Sequence, residues 1–112
     1  MKRALFIGRW QPIHDGHRWL FNQKLEQDIP ILIAVRETDV DTSNPFTTEQ
    51  VIENLEKEYS EQVGNGTVKI ISIPDIESVN YGRGVGYEIN EFVPPKDIGQ
   101  ISATKIRKNL KK

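Results

Sequence analysis

The chain contains no cysteine. Without a thiol it has no disulfide scaffold, no thiolate metal site and no cysteine nucleophile. Long apolar runs are also missing. The N-terminal run, Ala4-Leu5-Phe6-Ile7, is too short for the core of a signal peptide, and Ile29-Pro30-Ile31-Leu32-Ile33-Ala34-Val35 falls well below a membrane span of roughly 20 residues. A cytoplasmic protein without membrane contact is therefore expected. Charge of neither sign prevails: fifteen Lys and Arg face sixteen Asp and Glu, for a net charge of −1. That balance gives no overall field to attract nucleic acid or an anionic membrane. Apolar residues at 37% and charged residues at 28% exclude fibrous and disordered classes. The 112 residues fit one domain, 1–112, which buries roughly two-thirds of its unfolded surface.

The two apolar runs do not alternate with polar residues, the pattern of strands covered on both faces in a parallel sheet. Between them, from about Gly16 to Asp28, Leu20, Phe21, Lys24 and Leu25 recur at helical spacing. A strand-helix-strand unit follows, and ligands of such sheets collect at the carboxyl ends of the strands. Thr47 and Gln50 form a capping-box pattern that starts a second helix with an apolar stripe of Val51, Ile52, Leu55 and Tyr59. Gly64-Asn65-Gly66 predicts a turn, Thr67 to Ile73 a third strand that Pro74 stops, and Tyr87 to Val93 a fourth. The glycines at 82, 84 and 86 mark a permissive loop, and a last helix is expected with Ser102 as its N-cap.

Chemistry concentrates in Gly8-Arg9-Trp10-Gln11-Pro12-Ile13-His14-Asp15-Gly16-His17, the passage from the first strand into the first helix. Free amides and the helix dipole make such a junction an anion site. Gly8 would let the backbone approach a phosphate, and Gly16 removes bulk at the helix start. The chain's two histidines, His14 and His17, stand one turn apart and can face one anion, donating more strongly when protonated. Three other readings remain open: a pair that only caps or packs, two metal ligands lacking a third, and a covalent phosphohistidine. We favour phosphate binding. Ile101-Ser102-Ala103-Thr104-Lys105-Ile106-Arg107 repeats the same physics at a second helix start, with Lys105 and Arg107 adding positive charge.

Together the two segments resemble the paired signatures G-R-F-Q-P-x-H-x-G-H and I-S-x-T-x-x-R of the nucleotidylyltransferase superfamily, with Trp10 for the usual Phe. Asn44-Pro45-Phe46-Thr47 and Ile73-Pro74-Asp75-Ile76 resemble segments of archaeal-type nicotinamide mononucleotide adenylyltransferases. The resemblance implies an α/β fold, a Rossmann-like doubly wound parallel sheet with the site above the first strand. It also implies transfer of a nucleotidyl group from ATP or CTP to a small phosphorylated acceptor, whose own phosphate attacks the α-phosphorus and releases pyrophosphate.

Carried over by position, His14 and His17 would hold the triphosphate and its developing charge. Gly8 and Arg9 would line the α- and acceptor phosphates, while Ser102, Thr104 and Arg107 grip the β- and γ-phosphates with Lys105 assisting. Ile101, Ala103, Gly16 and Trp10 complete the nucleotide-binding set, Trp10 by stacking on a base or ring, whereas Trp19 is expected in the core. Arg9, Arg36, Tyr81 and Arg83 are acceptor-binding candidates. Mg²⁺ is expected to arrive with the nucleotide rather than in a protein cage. A dimer or larger assembly would suit so small a domain.

The chain departs from the adenylyltransferases in three places: it is shorter between its third strand and last helix, their tryptophan after Pro-Asp-Ile is absent, and Gln50 stands where they often carry arginine. Its compact length and I-S-x-T-K-I segment are equally reminiscent of short cytidylyltransferases acting on glycerol phosphate. A nucleotide-binding module without turnover is the competing reading from another class. The H-x-G-H likeness to class I aminoacyl-tRNA synthetases is set aside, because the chain cannot hold a tRNA-binding domain and has no basic footprint.

Overall fold

The computed structural model describes residues 2–84 and 86–95. Three strands, β1 (Ala4–Gly8), β2 (Ile31–Arg36) and β3 (Val68–Ile73), pair in parallel in the order β1-β2-β3. The register sets Phe6 beside Ile33 and Ile33 beside Ile70. Helix α1 (Asp15–Leu25) links the first pair, while α2 (Thr48–Glu58) and the short α3 (Ser60–Gly64) link the second. This is the expected Rossmann-like α/β architecture, and its described strands wind in one direction.

Side chains alternate across a strand, so Ile31, Ile33 and Val35 share one face of β2. All three are fully buried, under Phe21 of α1 and Val51 and Leu55 of α2. Phe21 sits at the centre, with its ring edge-on to Phe6 at 5.3 Å and to Tyr59 at 5.9 Å. Burying one such aromatic ring contributes roughly 2–3 kcal/mol. On the opposite face Leu5 is 55% exposed.

The boundaries follow from local chemistry. Helix α1 stops at Leu25, before the expected Asp28, because Asp28 takes a left-handed φ of 59°. That turn lets the Ile29 N–H donate back to the Lys24 carbonyl, the closing bond of a helix C-terminus, and Pro30 follows. Helix α2 begins as the capping box predicts: Thr47 Oγ1 accepts from the Gln50 N–H at 3.1 Å and Gln50 Oε1 from the Thr47 N–H at 2.8 Å. Gly64 belongs to α3 rather than to the turn, which Gly66 makes at φ 85°.

The fourth strand expected over Tyr87 to Val93 is not formed. Residues 74–84 and 86–95 carry no strand, and Tyr87, Ile89 and Val93 are each at least 60% exposed. A strand-like stretch does not make a strand by itself; it needs a neighbouring edge to supply hydrogen bonds. The last helix and its Ser102 cap lie outside the described residues.

Candidate functional site

The loop leaving β1 is built around Trp10. Its backbone turns at φ 53°, which folds the indole back over Gly8. A Cβ at Gly8 would lie 2.9 Å from the indole carbons Cε2 and Cζ2, so hydrogen is the side chain that fits. The indole Nε1–H donates to the Ala34 carbonyl of β2 at 3.2 Å, and the ring meets Phe21 at 5.0 Å and His17 edge-on at 4.8 Å. With 5% exposure Trp10 is core. The expectation that it stacks on a base is therefore corrected, and Trp19, expected in the core, is only partly buried. Buried among Gly8, His17 and Phe21, the indole offers a ligand almost no open surface.

The two histidines form a capping box of their own. The His14 backbone is extended, and its Nδ1 accepts from the Gly16 N–H at 3.0 Å. His17, three residues on, accepts the His14 N–H on Nδ1 at 3.3 Å. The rings stack with centroids 3.8 Å apart and 23° between planes. Because Nδ1 is an acceptor in both rings, each neutral imidazole carries its proton on Nε2.

Burial is the first cause that lowers both pKa values. His17 falls to about 3, with the His14 and Arg18 charges as further causes, while His14 is lowered by burial and Arg18 against the opposing pull of Asp15. At neutral pH the site thus presents two neutral Nε2–H donors, not the imidazolium donors that the sequence reading held to be the stronger form. The capping reading and the ligand-facing reading are compatible, since capping uses Nδ1 and leaves Nε2. One amide of the helix start, that of Gly16, is taken up by the His14 ring.

The surrounding cations differ in how they are held. Arg18 donates from Nε to both oxygens of Glu58, at 2.9 and 3.0 Å, and from Nη1 to Asp15 at 2.8 Å, which ties α1 to α2. Arg36, an acceptor-binding candidate, pairs with Asp75 at 2.7 Å. Arg9 donates to Asn44 Oδ1 at 3.3 Å. Tyr81 is 63% exposed and Arg83 is exposed, both in the irregular stretch after β3. The structure therefore brings Gly8, Arg9, Trp10, His14, Gly16 and His17 into one loop at the carboxyl end of β1. Ile101, Ser102, Ala103, Thr104, Lys105 and Arg107 lie outside the described residues.

Two residues escaped the sequence reading. Gln11 is 2% exposed and grips Phe46 twice, its Nε2 donating to the carbonyl and its Oε1 accepting the N–H, both at 2.9 Å. Asn44 is 7% exposed and reaches Arg9. Both contacts span 35 residues, and only the resemblance of Asn44-Pro45-Phe46-Thr47 to a family segment signalled that this stretch mattered. An open cleft of about 550 Å³ at the carboxyl ends of β2 and β3 is lined by Glu37, Asp39 and Glu49 among others, a setting that disfavours a triphosphate. Among the described residues, no three His, Cys, Asp or Glu side chains are grouped to hold a metal ion, and no helix is long and apolar enough to cross a membrane.

No protein-family model matches the chain. Curated archaeal proteins do. The nicotinamide-nucleotide adenylyltransferase of Thermococcus sibiricus is 30% identical over 99 residues, covering 86% of this chain and 52% of that protein. Its namesake from Thermococcus onnurineus is 31% identical over 101 residues, covering 87% and 51%. That of Methanococcus aeolicus is 35% identical over 98 residues, covering 86% and 54%. The chain spans about half the length of these relatives. These findings make it a relative of the archaeal nicotinamide-nucleotide adenylyltransferases over that half, and so a member of the nucleotidylyltransferase superfamily.

Proposed function

We propose that this chain carries the nucleotide-binding site of a nicotinamide-nucleotide adenylyltransferase, which moves AMP from ATP to nicotinamide mononucleotide and releases pyrophosphate. The observation that carries the reading is the stacked pair His14 and His17, fixed by its own caps with both Nε2–H groups left to donate. It is joined by the shared name of the three relatives described above, none of which is a cytidylyltransferase.

In this mechanism an oxygen of the acceptor's phosphate attacks the α-phosphorus, and the bond from that phosphorus to the bridging oxygen of the β-phosphate breaks. No side chain forms a covalent bond. The chain's work is to hold the triphosphate in line and to place donors where charge grows. Neutral Nε2–H groups fixed by backbone contacts need no rearrangement as that charge develops. Arg9, on the same loop, would supply positive charge to the phosphates. Ser102, Thr104 and Arg107 would hold the outer phosphates. Mg²⁺ would travel on the nucleotide, where it offsets phosphate charge.

The test is pyrophosphate release from the full chain with ATP, Mg²⁺ and nicotinamide mononucleotide. CTP with glycerol phosphate serves as the competing pair. His14→Ala should lower turnover about a hundredfold or more, as losing one fixed charge-stabilising donor does. ATP binding with no transfer to any acceptor would leave a binding module in place of an enzyme.

A further inference from the structure

We infer that Asn44 is a positioning residue, which aims Arg9 at a phosphate with an amide, and not a carboxylate, in contact with its guanidinium. The inference rests on the proposed binding of a nucleotide triphosphate at the loop after β1. Arg18 and Arg36 are each held by carboxylates, which spend their positive charge on an internal pair. Arg9 is held by a neutral carboxamide, Asn44 Oδ1 at 3.3 Å. A carboxamide oxygen orients a guanidinium as a carboxylate does, but contributes no countercharge.

The carboxamide is itself fixed. Its Nδ2 donates to Asp41 Oδ1 at 3.1 Å, which settles which end of the amide faces Arg9. The same carboxylate oxygen accepts the backbone N–H groups of Ser43 and Asn44 at 2.8 and 2.7 Å. Backbone bonds in both directions between residues 41 and 44 close the turn. These contacts hold the Asp41 carboxyl below its ordinary value, the Asn44 N–H contributing most and the Arg9 charge least. Two residues further on, the double contact between Gln11 and Phe46 locks this turn to the loop that carries Arg9. Arg9 and Asn44 are thus set on two loops whose relative position is fixed.

A double-mutant cycle on the full chain, with ATP as the probe in calorimetry, tests the inference. Asn44→Ala should weaken ATP binding about tenfold, the low end for losing a hydrogen bond to a charged group. In an Arg9→Ala background the same change should have little further effect, because only a role through Arg9 disappears with Arg9. An Asn44→Ala penalty of equal size in both backgrounds would overturn the inference and make Asn44 a loop brace. Asn44→Ser, too short to reach Arg9, gives the same readout if the alanine variant does not fold. NMR supplies a measurement without ligand. The Arg9 Nη1–H signals should be protected from exchange in the native chain and lose that protection in Asn44→Ser; unchanged signals also overturn the inference. Failure of the native chain to bind ATP would instead sink the proposed function.

Discussion

Replacing His17 with glutamine removes one titrating ring while keeping the cap it forms. The fold supplies the precedent, since Gln50 occupies the same third position in α2 and accepts the N–H of its N-cap at 2.8 Å. Native His17 has a pKa of about 3 in the folded chain, against an ordinary value of 6.5. A base with a depressed folded pKa contributes its full stability above pH 6.5 and loses it as pH falls toward 3, because the unfolded chain takes up the proton first. Each unit of difference corresponds to about 1.4 kcal/mol, so at pH 5 the ring costs the native chain roughly 2 kcal/mol. His17→Gln lacks this loss and forfeits the edge contact with Trp10 and the stack on His14, about 1 kcal/mol each. Urea unfolding at pH 7 and pH 5, followed by tryptophan fluorescence, should show native stability falling more steeply by about 2 kcal/mol than that of the variant. His14 is common to both proteins, so its own titration largely cancels. Parallel losses in the two would refute the buried, neutral His17.

Gly8→Ala should destabilise the chain by about 1–3 kcal/mol, because its new methyl meets the indole of Trp10 at 2.9 Å; a melting temperature equal to the native one would contradict the packing. In Trp19→Phe the remaining indole is Trp10, 5% exposed, so emission should be blue-shifted and resistant to acrylamide. Ready quenching would show that Trp10 faces solvent after all.

Much of the architecture was legible because its signals are local. The short apolar runs, the Thr47/Gln50 box and the stripe of Val51, Leu55 and Tyr59 each specify an element through neighbours within a turn or two. Failures occurred where a distant partner decides. Tyr87 to Val93 has a strand-like composition and no strand, and Trp10 looks like a ligand platform but fills a gap above Gly8. Arg36 reads as a free cation at a strand end until Asp75, 39 residues away, is placed beside it.

By itself, the order of residues determined the parallel α/β plan and the loop in which both imidazoles sit, because helix periodicity, capping and turn chemistry act over a few residues. Tertiary structure decided the state of that loop. Burial, with Trp10 edge-on to His17, drains the histidines of charge while their local caps set the tautomers, and a contact bridging 35 residues puts Arg9 on an amide where Arg18 and Arg36 meet carboxylates. Burial and long-range pairing depend on what the folded chain brings together, which no short stretch of sequence encodes.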